Sequence, residues 1–240
     1  MTELGGTLRR KWRELLLEGL AVLFGVLLAL AADSWANGQD AARVEAAYLV
    51  ALREELLANS ELVAAQLERT RTRVEEGRTY LAEVVHTRPG DQIGTDEVNG
   101  MLLQVGPYRR MSYQRGALDD LLTAGGMELV RSEEIRREIL RYARLLEQES
   151  VRQEAALDFW EDQMSPYYYE HASLAGFLPW AGELGTPPAE DLDVSAFAGS
   201  TRYSNLLIER IVRDQTLGDA TEELGDNILE LASRLEDVAR

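Results

Sequence analysis

Hydrophobic residues dominate one early stretch of the chain. Residues 15–32 read LLLEGLAVLFGVLLALAA and contain a single charged residue, Glu18. As a helix that rises about 1.5 Å per residue, this stretch covers about 27 Å, close to the thickness of the hydrocarbon core of a bilayer. The pattern therefore predicts a transmembrane helix over residues 14–36, with Trp12 and Trp35 as interfacial anchors at its two ends.

Basic residues stand on one side of this stretch. Those that precede it are Arg9, Arg10, Lys11 and Arg13, whereas residues 37–56 contain only two arginines. The positive-inside rule then predicts a cytoplasmic tail over residues 1–13, a single-pass protein of a bacterial inner membrane, and a periplasmic domain over residues 37–240. A basic start, an apolar core and Ala29-Leu30-Ala31 also fit a cleaved signal peptide, and this alternative stays open.

Two features of the apolar stretch suggest contacts inside the membrane. Ala21, Gly25 and Ala29 recur every four residues, a spacing of small residues that lets a second helix approach closely. Glu18 lies about one turn into the stretch. Its carboxylate either meets a donor on a partner or reaches back to the headgroups.

The rest of the chain has helical spacing. Leu52, Val63, Val74 and Val85 recur every eleven residues and predict one apolar stripe along a helix over residues 40–85. Further helices are predicted at about 95–104, 112–124, 132–164 and 203–240, with Ser112 and Ser132 as N-caps. No alternation typical of strands is present. The predicted fold class is all-α, with one N-terminal transmembrane helix followed by an elongated helical bundle.

The last of these helices has a second regular pattern. Four- and three-residue steps separate Leu224, Ile228, Leu231, Leu235 and Val238. Such a seam packs against another helix.

Composition narrows the function classes. The chain has 42 acidic and 25 basic residues, and its net charge of −17 argues against nucleic-acid binding. It has no cysteine, which excludes disulfides, thiolate zinc sites and a cysteine nucleophile. His171, with Glu161 and Asp162 about three turns earlier, is a candidate for metal binding or proton transfer. Glu54-Glu55 has the pattern of a solvated face.

No phosphate-loop, dinucleotide, zinc-protease or serine-hydrolase motif occurs. We therefore expect no catalytic residues, no metal and no cofactor.

Aromatic residues concentrate in one region. Seven of the 17 aromatic residues fall within 22 positions, namely Phe159, Trp160, Tyr167, Tyr168, Tyr169, Phe177 and Trp180. Aromatic side chains beside loops and prolines are common at recognition surfaces, so this cluster is the candidate partner surface. Two alternatives stay open: a small core that closes the bundle end, and a pocket for an apolar ligand.

Several short motifs follow one another along the chain in a definite order. A span led by Glu18 contains GVLLAL at 25–30, exits through Asp33-Ser34-Trp35, and is followed by YLVALREEL at 48–56 and ALDDLLTAGG at 117–126. In this order they resemble a family of single-span bacterial membrane proteins known only as a domain of unknown function, in which two asparagines are more usual at the exit. The resemblance implies a retained span, a role for Glu18 beyond the headgroups, and no known catalytic residues.

These observations favour a non-enzymatic, membrane-anchored helical protein. We expect it to act as an accessory or scaffold subunit of a larger membrane-protein complex, for example a respiratory or photosynthetic one. Its expected partners are the lipid bilayer and either other integral membrane proteins or further copies of itself, but not nucleic acid. The alternative is a periplasmic sensor that binds a ligand in the bundle and works through a partner protein.

Overall fold

A computed structural model of the chain describes residues 4–86, 108–123, 125–172 and 194–239. Among these residues the regular structure is helical and no strand occurs, which confirms the predicted all-α class. The helices are α1 (Leu4–His86), α2 (Gly116–Thr123), α3 (Gly126–Leu129), α4 (Glu133–Phe159), α5 (Ser165–His171), α6 (Val194–Phe197) and α7 (Thr201–Ala239), with a π-helical turn over Trp160–Met164 between α4 and α5.

Helix boundaries agree with the sequence patterns to different degrees. The Ser132 hydroxyl accepts a hydrogen bond from the Ile135 N–H at 3.3 Å, so the predicted cap of α4 is present. The π-helical turn then carries the chain past residue 164 into α5. Helix α2 begins at Gly116 rather than near Ser112. The helix predicted at 95–104 lies outside the described residues.

Helix α1 joins the predicted membrane segment and the predicted long helix into one helix of 83 residues. Its described side chains between Leu23 and Asp40 are all exposed, and the first buried one is Leu49. In the part of the chain that the structure covers, we find no helix whose length and apolar character suffice to cross a membrane.

Three long helices form a bundle whose buried positions alternate by three and four residues. Helix α7 packs against both α1 and α4. On α4 the buried positions include Ile135, Ile139, Tyr142, Leu146, Glu149, Gln153 and Ala156, and on α7 they include Leu224, Ile228, Leu231 and Leu235. The predicted seam of α7 is therefore confirmed at these four residues, while the Val238 side chain lies outside the described part. A seven-residue repeat of this kind is the geometry of coiled-coil packing.

The seam of α1 differs from its predicted pattern. It follows the same seven-residue repeat over Leu49, Leu52, Leu56, Asn59, Val63, Gln66 and Thr70. Val74, predicted to lie in the stripe, is only half-buried. Leu52 and Val63 are buried as the eleven-residue pattern predicts, and the Val85 side chain lies outside the described part. The pattern missed Asn59, Gln66 and Thr70, because they are polar residues at core positions and a search for apolar periodicity passes over them.

Glycines let α1 and α7 approach closely along an antiparallel contact. A methyl group added at Gly225 would lie 3.0 Å from Val63 Cγ1, and one added at Gly218 would lie 3.3 Å from Thr70 Cγ2. A third close approach joins Gly77 to Ile211, whose Cγ1 would lie 3.0 Å from a methyl group added at Gly77. The three contacts are spaced by seven residues on each helix, so the close approach repeats with the seam.

The bundle core changes character along its length. Near the exposed part of α1 it is aliphatic, with leucine, isoleucine and valine from α1, α2, α4 and α7. At the far end it is aromatic, built around Tyr80, Tyr167, Tyr168, Phe197 and Tyr203. Buried polar side chains, which we call the polar belt, extend from within the aliphatic core to the edge of the aromatic one: Glu55, Asn59, Gln66, Thr70, Glu149, Gln153, Arg210, Asp214, Thr221 and Asn227. This polar belt contains the chemically distinctive groups of the described chain.

Candidate functional site

An irregular strip over residues 108–115 is held by the polar belt. The Asn59 amide donates to the Gln114 carbonyl at 2.7 Å and accepts from the Gln114 N–H at 2.8 Å. The Gln153 side chain accepts the Met111 N–H at 2.7 Å, and Gln66 donates to the Tyr108 hydroxyl at 3.1 Å. Among the described residues, no backbone N–H of the strip donates to a backbone carbonyl, so these side chains replace the partners that helix formation would supply.

A carboxylate of α1 caps α2 across the bundle. Glu55 accepts the Ala117 N–H at 2.7 Å and the Leu118 N–H at 3.4 Å, and only 7% of its surface is exposed. Burial raises the pKa of the Glu55 carboxyl, and the two backbone donors oppose that rise. The sequence assigned this role to Ser112 and placed Glu54-Glu55 on a solvated face. That assignment was wrong for Glu55, because adjacent residues of a helix point about 100° apart.

Glu149 is a fully buried carboxyl group of α4. Its oxygens accept hydrogen bonds from the Tyr113 hydroxyl at 3.0 Å and from the Gln153 amide. Burial raises the pKa of the Glu149 carboxyl, since the charged form loses its hydration. The group lies at a groove of about 380 Å³, on whose wall Arg110 and Arg115 also lie.

Two arginines share one aspartate where the polar belt meets the aromatic core. The Arg210 Nε lies 2.9 Å from Asp214 Oδ2, and the Arg73 Nη2 lies 3.3 Å from Asp214 Oδ1. The Arg73 guanidinium carbon stands 4.9 Å from the centre of the Tyr108 ring, and that of Arg210 stands 5.7 Å from both the Tyr108 and Trp160 rings. Ring faces attract cations, which offsets part of the cost of burying the two guanidinium groups.

Of the five described members of the aromatic cluster predicted as a partner surface, most pack into the core. Phe159, Tyr167 and Tyr168 are buried, and Trp160 is half-buried against them. The Tyr168 and Tyr203 hydroxyls are 2.9 Å apart, and the Tyr167 hydroxyl donates to the Ala196 carbonyl. The buried Tyr167 and Tyr168 rings cannot meet a partner on the surface, because Phe197 of α6 and Tyr203 of α7 pack against them. Their burial agrees with the alternative of a core that closes the bundle end.

Other members of the cluster have different surroundings. Tyr169 has 66% of its surface exposed, so it is open to a partner. Phe177 and Trp180 lie outside the described residues. The His171 ring packs 4.6 Å from the Tyr167 ring, and its Nε2 lies 3.7 Å from a Glu170 oxygen. Across the described ranges, no group of three or more histidine and carboxylate side chains is placed to hold a metal ion.

Few of the residues predicted to act in the membrane fall within the described side chains. Nothing lies within 4 Å of a methyl group added at Gly25, and Trp35 is 68% exposed. The other predicted residues lie outside the described side chains: Arg9, Arg10, Lys11, Trp12, Arg13, Glu18, Ala21 and Ala29.

The described apolar residues around Gly25 are exposed. Six large apolar side chains between Leu23 and Leu30 expose 51–65% of their surface. They belong to Leu23, Phe24, Val26, Leu27, Leu28 and Leu30.

Sequence reasoning missed the polar belt. The pair Arg210 and Asp214 has the four-residue spacing of an ordinary surface ion pair, and nothing in the spacing shows that both are buried. The spacing of residues in α7 could have predicted this burial. Arg210, Asp214 and Thr221 continue the four- and three-residue steps of Leu224 and Ile228 toward the N-terminus of the helix. Polar residues in register with an apolar seam indicate buried polar groups.

Comparison of the chain with protein-family models, with curated proteins and with solved structures finds no match.

Proposed function

We propose that this chain is a single-span membrane protein whose helical bundle stands outside the membrane as an accessory or scaffold subunit, without enzymatic activity. The observation that carries the proposal is the exposed apolar part of α1. Its six large side chains from Leu23 to Leu30 spread over about 200° of the helix surface, and no charged residue lies between them in the sequence. This is about twice the width of the apolar stripe of a helix on a soluble protein, and so wide an apolar surface needs an apolar environment.

The free energy of transfer from water favours lipid as that environment. Moving a half-exposed leucine or phenylalanine fully out of water contributes about 1 kcal/mol, so the six side chains contribute about 6 kcal/mol. The flanking Trp35 is exposed where an interfacial ring belongs. The resemblance to single-span bacterial proteins supports the same assignment.

The continuity of α1 supports a structural role. The helix that carries the proposed span also supplies one wall of the bundle, from Leu49 to Tyr80. The bundle would therefore be held at a fixed orientation to the membrane, as a scaffold subunit requires. The small-residue strip of Ala21, Gly25 and Ala29 would be the packing face toward a partner helix, and Glu18 would seek a donor on that partner.

Membrane retention can be tested with one variant and one control. Leu27→Arg places a charge near the centre of the proposed span and costs about 3 kcal/mol of insertion free energy. We expect the wild-type chain to stay in the membrane pellet after alkaline carbonate extraction and the variant to be partly released. Val50→Arg, which changes an exposed residue of the same helix beside the bundle, serves as the control and should stay in the pellet. The proposal would be overturned if the intact mass of the mature chain showed that it begins near Asp33.

The subunit role needs a second experiment. We expect purification from native membranes in a mild detergent to yield the chain together with a defined set of integral membrane proteins, identified by mass. Alkaline phosphatase fused after residue 240 should be active if the bundle is periplasmic. A chain that always migrates alone as a monomer would contradict the scaffold role, and an inactive fusion would contradict the topology.

A second candidate function is a ligand sensor that works through a partner. The groove beside Glu149, with Arg110 and Arg115 on its wall, is the observation that favours it. A library of small metabolites should then contain one that raises the melting temperature of the full chain.

A further inference from the structure

A small cavity lies between α1 and α7 at the arginine–aspartate cluster. Arg73, Gly77 and Tyr80 line it from α1, and Arg210 and Asp214 line it from α7. Gly77 and Ile211 form one of the close contacts between these helices, which closes the cavity on one side. Its volume is about 10 Å³, roughly the space that one water-sized particle needs.

The Arg210 guanidinium has donors that this part of the chain does not use. Only 3% of the residue is exposed, and its Nε alone is paired, with Asp214. The two terminal nitrogens, Nη1 and Nη2, have no hydrogen-bond partner among the described residues. They carry four N–H groups in all. Buried donors in native proteins are almost always paired, and an apparent exception calls for a water or an ion.

The charges around the cavity favour an anion over water. Arg73 and Arg210 contribute two positive charges, and Asp214 contributes the one negative charge that both of them share. Glu76 is the other acidic residue that lines the cavity, but it is half-buried, so water screens its charge in part. The buried part of the site therefore keeps an excess positive charge with unused donors.

We propose that Arg73 and Arg210 form a binding site for one small monovalent anion of about the size of chloride. We expect chloride rather than the larger sulfate or phosphate, because the cavity is small. The anion would accept hydrogen bonds from the Arg210 terminal nitrogens and would balance the charge that Asp214 leaves uncompensated. The site stands apart from the proposed span and does not depend on the proposed function.

The test is the thermal unfolding of the full chain in a neutral detergent, in sodium chloride and in sodium gluconate at equal ionic strength. At a chloride concentration ten times the dissociation constant, mass action raises the midpoint by about 3 °C relative to gluconate. We expect this difference to disappear in Arg210→Gln. It should persist in Arg71→Gln, which changes an exposed arginine of α1, two residues before Arg73 in the chain.

A second measurement on the wild-type chain keeps the proposal testable if Arg210→Gln does not fold. Crystals grown in sodium bromide should show an anomalous difference peak within about 3.5 Å of the Arg210 terminal nitrogens. Equal midpoints in chloride and gluconate would overturn the proposal. So would a cavity that holds only water, or bromide peaks confined to the protein surface.

Discussion

Asn59 offers a direct test of how the irregular strip is held. The residue is fully buried in α1 and its side chain makes three hydrogen bonds. Its amide nitrogen donates to the Gln114 carbonyl at 2.7 Å and to the Tyr142 hydroxyl at 2.8 Å. Its oxygen accepts the Gln114 N–H at 2.8 Å. The substitution Asn59→Ala removes all three and leaves their partners in a site that water does not reach freely.

The expected loss follows from these contacts. Each hydrogen bond contributes about 1 kcal/mol net, and a buried group left without a partner costs at least that much. We therefore expect Asn59→Ala to lower the free energy of unfolding by about 3 kcal/mol. Ser60→Ala is the matched control, since the Ser60 hydroxyl makes a single exposed bond to the Leu57 carbonyl. Its expected loss is below about 0.5 kcal/mol.

Urea unfolding of the full chain in detergent, followed by circular dichroism, measures both variants. Amide hydrogen exchange at Gln114 gives a second readout, because this N–H loses its acceptor only in the Asn59 variant. A loss below about 1 kcal/mol for Asn59→Ala, or unchanged exchange at Gln114, would refute the view that this amide holds the strip.

Three further predictions concern the polar belt, the helix contact and the aromatic core. Burial raises the pKa of the Glu149 carboxyl in the folded chain. Its stabilising contribution is therefore complete below the ordinary value of about 4.5 and is lost as the pH rises through the folded pKa. Glu149→Gln should thus reduce the fall in the urea midpoint between pH 4.5 and neutral pH, and an unchanged fall would contradict this. Gly225→Val crowds α1 and should cost about 1–3 kcal/mol in thermal unfolding, whereas Gly38→Val, with nothing within 4 Å, should cost none. Tyr168→Ala should cost about 3–5 kcal/mol and the exposed Tyr169→Ala under about 0.5, so similar losses would speak against the division of the cluster into core and surface.

The structural features that the sequence predicted correctly are mostly local to a single helix. Ser132 caps α4 as its position before Glu133 and Glu134 predicted, and Leu224 and Ile228 are buried as their spacing predicted. Such features depend on a few neighbouring residues of one helix, and a pattern of side chains along the chain records them directly.

The polar belt could not be derived in the same way. Glu55 caps a helix 62 residues away, and Arg73 shares Asp214 across the antiparallel contact of α1 and α7. The sequence does not distinguish a charged residue that faces water from one that faces a buried donor. Its burial depends on which other residues the fold packs around it. The aromatic cluster shows the same limit, because rings such as Tyr168 suit a recognition surface and a core equally well.

The sequence by itself determined the helical class, several helix boundaries, the seam of α7 and the strongly apolar stretch in α1, because backbone propensity and side-chain periodicity act within a single helix. Only the tertiary structure decided which polar groups are buried and which partners they meet. Those pairings join residues far apart in the chain, and their energies exist only when α1, α4 and α7 are packed together.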